Sequence, residues 1–159
     1  MRHGSAVPTA DGGDFHRRLT ATGARDVLKV GSALQALGGV DIIVHSPLVR
    51  TTMTAGLVAE QIKSMPDIIA SEALRSGASA DELIRELEVY ASFERVLFVG
   101  HMPDVGELSS KLGDRDLLGS IIFSPGSVVA CSFDGPVAPG AANILWSHQP
   151  ATIQDAVRF

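Results

Sequence analysis

The sequence has little cysteine and no long apolar run, and both absences exclude classes of protein. Cys131 is the single cysteine, so no intramolecular disulfide can form, which favours a reducing compartment. No stretch approaches the ~20 apolar residues that a membrane-spanning helix needs, and the N-terminus lacks a basic segment followed by an apolar one. We therefore expect a soluble cytoplasmic protein without membrane association.

Basic charge is also scarce. The chain has 13 Lys and Arg against 18 Asp and Glu, a net charge of −5, which argues against a nucleic-acid partner bound by general electrostatics. No His-x-His or Cys-x-x-Cys pair offers metal-ligand spacing, so we expect no metal and no other cofactor. Residues 1–50 nevertheless hold six basic side chains against four acidic ones, and that part of the chain is where we expect an anion site.

Segments with the patterns of strands and helices alternate along the chain. The run 95–100 is almost entirely apolar, as in a buried parallel strand, and Ser46 followed by Pro47 predicts an N-cap and a first helical residue. These patterns predict one α/β domain, 1–159, with a mostly parallel sheet. The predicted helices are 19–39, 47–63, 79–91 and 103–112, and the predicted strands are 41–45, 67–70, 95–100, 127–133 and 141–147.

Three segments carry histidine or arginine at the ends of predicted strands. An isolated histidine is more often structural than catalytic, so each segment alone is a weak signal. Ligands of parallel α/β sheets gather where strands end and helices begin, and we therefore expect the three segments to converge on one anion. The segments are Arg2-His3-Gly4, 46–50 (Ser-Pro-Leu-Val-Arg) and 100–103 (Gly-His-Met-Pro).

These segments resemble the histidine phosphatase superfamily, which includes phosphoglycerate mutases and acid phosphatases. The resemblance extends over residues 1 to about 112, and the short chain with its 100–106 segment is similar to the SixA-type phosphohistidine phosphatases. It implies a three-layer α/β/α sandwich with a mostly parallel central sheet, phosphoglycerate mutase-like. The matching residues, in the family's order, are Arg2-His3-Gly4, 17–23, 46–55 and 99–103.

The resemblance also implies a role for each member of the cluster. His3 is the nucleophile that accepts the phosphoryl group, and water then hydrolyses the phosphohistidine enzyme. A neutral imidazole suits this role, because its ordinary pKa of ~6.5 leaves one ring nitrogen unprotonated near pH 7. Arginine suits phosphate, because its planar fork holds two oxygens and keeps its charge. The implied catalytic residues are His3, Arg2, Arg50 and His101, and the implied phosphate-binding residues are Arg2, Gly4, Arg50 and His101.

The general acid that larger relatives use cannot be assigned from the sequence. Carboxylates are more often exposed on the surface than catalytic. Arg17 and Arg18 are candidates for reaching the phosphate or the acidic groups of a protein substrate, and a solvated loop is the alternative. Arg17, Arg18 and Glu72 are therefore the candidates for contacting the substrate, and are called the substrate-side candidates. The candidate acids are Glu72, Asp11, Asp14 and Asp104.

The start of the chain departs from the family pattern. In the family an apolar first strand precedes the Arg-His-Gly triplet, whereas only Met1 precedes Arg2 here. A parallel sheet without that strand would expose apolar edges and unpaired backbone groups. We therefore expect a first strand truncated before Arg2, unless another segment supplies it.

Three functions fit these observations. The first is hydrolysis of phosphohistidine in a phosphorylated protein, either a carrier or a signalling domain, since imidazole leaves more readily than an alkoxide and needs less help from an acid. The second is a phosphomonoesterase that acts on a small phosphate ester. The third is a catalytically poor phosphate-binding module.

Overall fold

The computed structural model describes residues 1–113 and 123–153, in which helices alternate with strands. Two short 3-10 turns, Asp14–His16 and Glu72–Leu74, precede the first helix and follow the second strand. No helix in the described ranges is long and apolar enough to cross a membrane. The helices are α1 (Ala21–Ala36), α2 (Val49–Ala59), α3 (Ala80–Val89) and α4 (Asp104–Leu112), and the strands are β1 (Ile42–His45), β2 (Asp67–Ala70), β3 (Val96–Val99), β4 (Val128–Phe133) and β5 (Ala142–His148).

β1 is the middle strand of a parallel sheet with the order β2-β1-β3. Its residues are all buried, because helices cover both faces of the sheet. Ile43 packs into a cluster with α1 and α2, whereas its neighbours Ile42 and Val44 pack into a second cluster with α3 and α4. Successive side chains of a strand point to opposite faces, so this division makes the fold a three-layer α/β/α sandwich, as predicted.

Met1–His3 lies beside β3 and joins it to the start of β4. On one side, the N–H of His3 donates to the carbonyl oxygen of Gly100 at 3.1 Å. On the other side, the N–H of Arg2 donates to the carbonyl oxygen of Ser127 at 2.9 Å. These first residues therefore take a strand position, and they bring His3 to the edge of the sheet where β1 and β3 also end.

The start of α2 differs from the predicted cap. Leu48 is the N-cap residue, and no side chain caps the helix, which begins at Val49. The prediction that Ser46 caps the helix and Pro47 begins it is therefore wrong. The helix begins later because Leu48 is still extended, so the Ser46 hydroxyl reaches only the N–H of Leu48, at 3.5 Å, and it also binds His101 Nε2 at 2.8 Å.

α1 packs tightly against the segment that follows His3. Thr20 caps α1, with its side chain accepting from the N–H of Gly23. A Cβ at Gly23 would collide with the carbonyl oxygen of Ser5 and would lie 2.8 Å from the nitrogen of that residue. The first turn of α1 thus fixes the path of the chain just after His3.

We expect Gly23→Ala to lower the free energy of unfolding by about 1–3 kcal/mol, because the added methyl group meets backbone atoms that cannot easily move. Gly56→Ala is the matched control, since Gly56 also lies inside a helix and a Cβ there meets nothing within 4 Å. That change should stabilise the protein by about 0.5–1 kcal/mol. Urea denaturation measures both effects. A Gly23→Ala protein with the same free energy of unfolding as the wild type would contradict the packing described.

Candidate active site

Four predicted site residues meet at the carboxyl ends of the parallel strands. The ring centroids of His3 and His101 lie 5.3 Å apart, and Arg50 Nη2 lies 3.3 Å from His101 Nδ1. His3, Arg50 and His101 are 9%, 5% and 2% exposed. Arg2 adjoins His3 in the chain, and its charge acts on that ring. The structure thus brings the three segments singled out in the sequence into one cluster.

His3 presents Nε2 as its free ring nitrogen. Its Nδ1 lies 2.7 Å from the carbonyl oxygen of Gly4, which can only accept, so Nδ1–H donates and Nε2 carries the lone pair. Burial, assisted by the charges of Arg50 and Arg2, lowers the pKa of His3 to about 4. The ring is therefore neutral at pH 7, with a nitrogen available for attack.

His101 is also neutral, and it lies between Arg50 and Ser46. A guanidinium only donates, so His101 Nδ1 accepts from Arg50 Nη2, and Nε2–H donates to Ser46 Oγ at 2.8 Å. Burial, followed by the charge of Arg50, lowers the pKa of His101 to about 4. His101 therefore enters the site as a neutral imidazole rather than as a further fixed cation.

Two guanidinium N–H groups in the cluster lack an acceptor. The Nε atoms of Arg2 and Arg50 are buried and have no hydrogen-bond partner among the described residues. Arg2 is tethered by Nη1, which donates to the carbonyl oxygen of Phe123 at 2.7 Å. An unpaired buried N–H costs about 1–3 kcal/mol, and more when it is charged. The two free donors fit an anion with several acceptor oxygens.

Thr54 joins the loop that follows His3 to α2, and the sequence reasoning did not identify it. Its Oγ1 accepts from the N–H of Gly4 at 3.1 Å and donates to the carbonyl oxygen of Arg50 at 2.7 Å. Because Thr54 occupies the N–H of Gly4, the phosphate contact of Gly4 stays a prediction. The signal available for Thr54 was its place in the family-like segment 46–55.

Asp14 binds Arg50 directly, which its residue type alone did not reveal. Its carbonyl oxygen lies 2.9 Å from Arg50 Nη1, and its Oδ2 lies 3.0 Å from Arg50 Nη2. Arg17 Nη1 donates to Oδ1 at 2.8 Å. The bond from Arg17, followed by that from Arg50, holds the pKa of Asp14 below its usual range. The contacts with both arginines therefore favour the ionised form of Asp14, whereas a general acid must carry a proton.

The two substrate-side arginines differ in their surroundings. Arg17 is half-buried, and its Nε donates to the carbonyl oxygen of Val7 at 2.6 Å. Its charge is also near enough to lower the pKa of His3. Arg18 is exposed and makes no side-chain hydrogen bond to another described residue. Arg17 thus borders the cluster, whereas Arg18 points to no group of the site.

The other candidate acids lie outside the cluster. Glu72 is exposed and paired with Arg75. Asp104 is buried, and its Oδ2 accepts from the N–H of Gly77 at 2.9 Å, which is a structural contact. Asp11 is exposed. Within residues 1–113 and 123–153, no group of three His, Cys, Asp or Glu side chains could hold a metal ion.

Known proteins share both the motifs and the fold. Residues 1–78 match the sequence pattern of the histidine phosphatase superfamily (branch 1). An uncharacterised protein of Picosynechococcus sp. is 35% identical over 110 residues, which make up 67% of each chain. The matched residues include Arg2, His3 and Arg50, three members of the cluster.

Solved structures of phosphatases superpose on most of the chain. The protein histidine phosphatase SixA complexed with tungstate gives a TM-score of 0.84 at 20% identity, covering 96% of both chains. The α-ribazole phosphatase of Shigella flexneri gives 0.67 at 16% identity, covering 91% of this chain and 93% of the other. Phosphoserine phosphatase of Entamoeba histolytica in complex with 3-phosphoglyceric acid also gives 0.67, at 14% identity with 93% and 94% covered. At these identities the likeness shows the fold.

The buried neutral histidines predict a loss of stability in acid. The ordinary pKa is 6.5, whereas folding lowers that of His3 and of His101 to about 4. Between these values the unfolded chain binds more protons, so the free energy of unfolding falls as the pH falls. We expect the wild type to lose more stability than His3→Ala between about pH 7 and about pH 4.5, measured by urea denaturation. Equal losses would contradict the lowered pKa.

Proposed function

The chain belongs to the histidine phosphatase superfamily and is a phosphatase, and we propose that it hydrolyses phosphohistidine in proteins through a covalent intermediate on His3. One observation carries the proposal. His3 is neutral, its bond to Gly4 leaves Nε2 free, and the guanidinium groups of Arg2 and Arg50 each add a buried Nε donor that is unpaired among the described residues. Such a ring is a nucleophile toward phosphorus, and such donors suit phosphoryl oxygens. Family membership favours an enzyme over a phosphate-binding module without turnover.

In the first step, Nε2 of His3 forms a bond to phosphorus while the bond from phosphorus to the leaving group breaks. The leaving group departs with the electron pair of that bond and takes a proton from solvent. Arg2 and Arg50 offset the negative charge spread over the phosphoryl oxygens, which is the main help that proteins give to phosphoryl transfer. Loss of one such donor typically costs about 10²–10³ in rate.

In the second step, water attacks the phosphorus of the phosphohistidine enzyme. The N–P bond breaks, its electron pair returns to Nε2, the water loses a proton to solvent, and inorganic phosphate is the product. The bond from Nδ1–H to Gly4 keeps the same ring nitrogen directed at the phosphorus in both steps. One nitrogen therefore serves as nucleophile first and as leaving group afterwards.

None of the candidate acids within the described residues is placed to protonate a leaving group, which supports a phosphohistidine substrate. Asp14 is bound to two arginines, Asp104 accepts a backbone N–H, and Glu72 is paired on the surface. An alkoxide leaving group would need a proton from such a residue, whereas an imidazole leaves without strong assistance. The proposed partner is therefore a protein phosphorylated on histidine, and the superposition on SixA agrees with this choice.

A small-ester phosphatase is the second candidate. The observation in its favour is the shared fold with the α-ribazole and phosphoserine phosphatases, which by name act on phosphate esters. The cationic cluster binds the phosphoryl group, which both substrate classes share. The leaving group therefore distinguishes the two functions, and side-by-side kinetics test it.

We expect His3→Ala to abolish turnover of para-nitrophenyl phosphate and to leave the fold intact, because the substitution removes the only atom proposed to bond to phosphorus. Brief incubation of the wild type with a ³²P-labelled substrate, followed by denaturation in alkali, should trap the label on His3. His148→Ala is the matched control, since His148 ends β5 and packs beside Trp146. Full activity of His3→Ala would remove the proposed nucleophile.

We also expect a histidine-phosphorylated carrier protein to be cleaved with a kcat/KM about tenfold or more above that of phosphoserine and sugar phosphates, because an imidazole leaves with less help from an acid than an alkoxide does. Release of inorganic phosphate measures all substrates in one assay. His3→Ala, run in parallel, corrects for spontaneous hydrolysis of the phosphoramidate. Faster cleavage of an ester would make the small-ester phosphatase the better description.

A further inference from the structure

Arg50 has two edges that can hold an anion, and the structure occupies them differently. The end edge, Nη1 and Nη2, binds Asp14, whose carbonyl oxygen lies 2.9 Å from Nη1 and whose Oδ2 lies 3.0 Å from Nη2. The side edge consists of Nε and Nη2. Its Nη2 contacts His101 at 3.3 Å, and its Nε is unpaired among the described residues. The side edge therefore keeps a donor free for a phosphoryl oxygen.

Asp14 is itself held from the opposite side. Arg17 donates Nη1 to Oδ1 of Asp14 at 2.8 Å, and its Nε is tied to the carbonyl oxygen of Val7 at 2.6 Å. The carboxylate thus connects an arginine anchored to the backbone with Arg50, which is 5% exposed. A carboxylate with both oxygens engaged has few orientations left, so it can fix the plane of the Arg50 guanidinium.

We propose that Asp14 is a positioning residue that holds the end edge of Arg50, so that the side edge faces a phosphoryl group at His3. The inference rests on the phosphoryl-transfer site proposed above. His101 indicates that the side edge of Arg50 faces His3, because His101 contacts that edge and its ring lies 5.3 Å from the ring of His3. Without the Asp14 carboxylate, Nη1 would keep the backbone carbonyl oxygen of residue 14, but the Nη2 donor of the end edge would lose its partner. That donor could then bind phosphate in place of the carboxylate, which turns the phosphorus away from Nε2.

Because Asp14 is negatively charged, its removal should affect phosphate affinity and the rate of the chemical step differently. An anion beside Arg50 opposes the binding of a second anion, so its removal should leave phosphate affinity equal or higher. Misorientation of the bound phosphoryl group lowers the rate of the chemical step instead. The positioning role therefore predicts a lower kcat without weaker phosphate binding, whereas general damage to the site would weaken both.

The test compares the wild type with Asp14→Ala and Asp14→Asn. Turnover of para-nitrophenyl phosphate gives kcat, and competitive inhibition by inorganic phosphate gives the affinity. We expect Asp14→Ala to lower kcat about 30-fold or more, while Ki for phosphate stays within about twofold or falls. Asp14→Asn should recover much of the rate, since its amide oxygen can still accept from Arg50 Nη2.

Asp67→Ala is the matched control, because Asp67 is an exposed aspartate in β2 and should behave as the wild type. An unchanged kcat in Asp14→Ala overturns the inference, and so does a rise in Ki that matches the fall in kcat. A wild type that neither cleaves the aryl phosphate nor binds phosphate overturns the proposed function as well. Turnover that depends on His3 but not on Asp14 overturns the positioning role alone.

Discussion

The chemistry of the cluster depends on the hydrogen bond from Nδ1–H of His3 to the carbonyl oxygen of Gly4. The bond selects the tautomer, and it works only while that carbonyl stays fixed. Thr54 of α2 binds the N–H of Gly4, and on the other side a Cβ at Gly4 would lie 2.6 Å from a methyl group of Val27 in α1. Two helices thus hold Gly4 from both sides, and the free Nε2 of His3 is the consequence.

The sequence could predict that the site residues lie close together, because their proximity follows from a general property of parallel sheets. Adjacent parallel strands end at the same edge, so residues just after β1 and β3 had to be neighbours. The three-layer sandwich was predictable for a similar reason, since an apolar run such as β1 is stable only with both faces covered. The capping box of Ser79 and Glu82 was predictable because it involves two nearby residues.

Contacts between distant residues could not be predicted in the same way. Asp14 and Arg50 are bonded although they lie 36 residues apart in the chain. The 3-10 turn that carries Asp14 follows Gly12 and Gly13, whose φ angles are 91° and 89°. Glycine allows such angles without specifying them, so no local pattern fixed the direction of the Asp14 side chain. Ser46 shows the opposite case, because its local capping signal gave no sign of the bond to His101, 55 residues away.

Burial also explains why the cluster combines a neutral histidine with permanently charged arginines. It lowers the pKa of Arg2 and that of His3, since both lose hydration of the charged form. The ordinary pKa of arginine lies so far above 7 that Arg2 stays charged even though burial lowers it, whereas the ordinary pKa of histidine is 6.5 and burial makes His3 neutral. A lysine in the place of Arg2 would be more easily neutralised by the same surroundings. The same burial therefore leaves histidine neutral and arginine charged, because the ordinary pKa values of the two side chains lie so far apart.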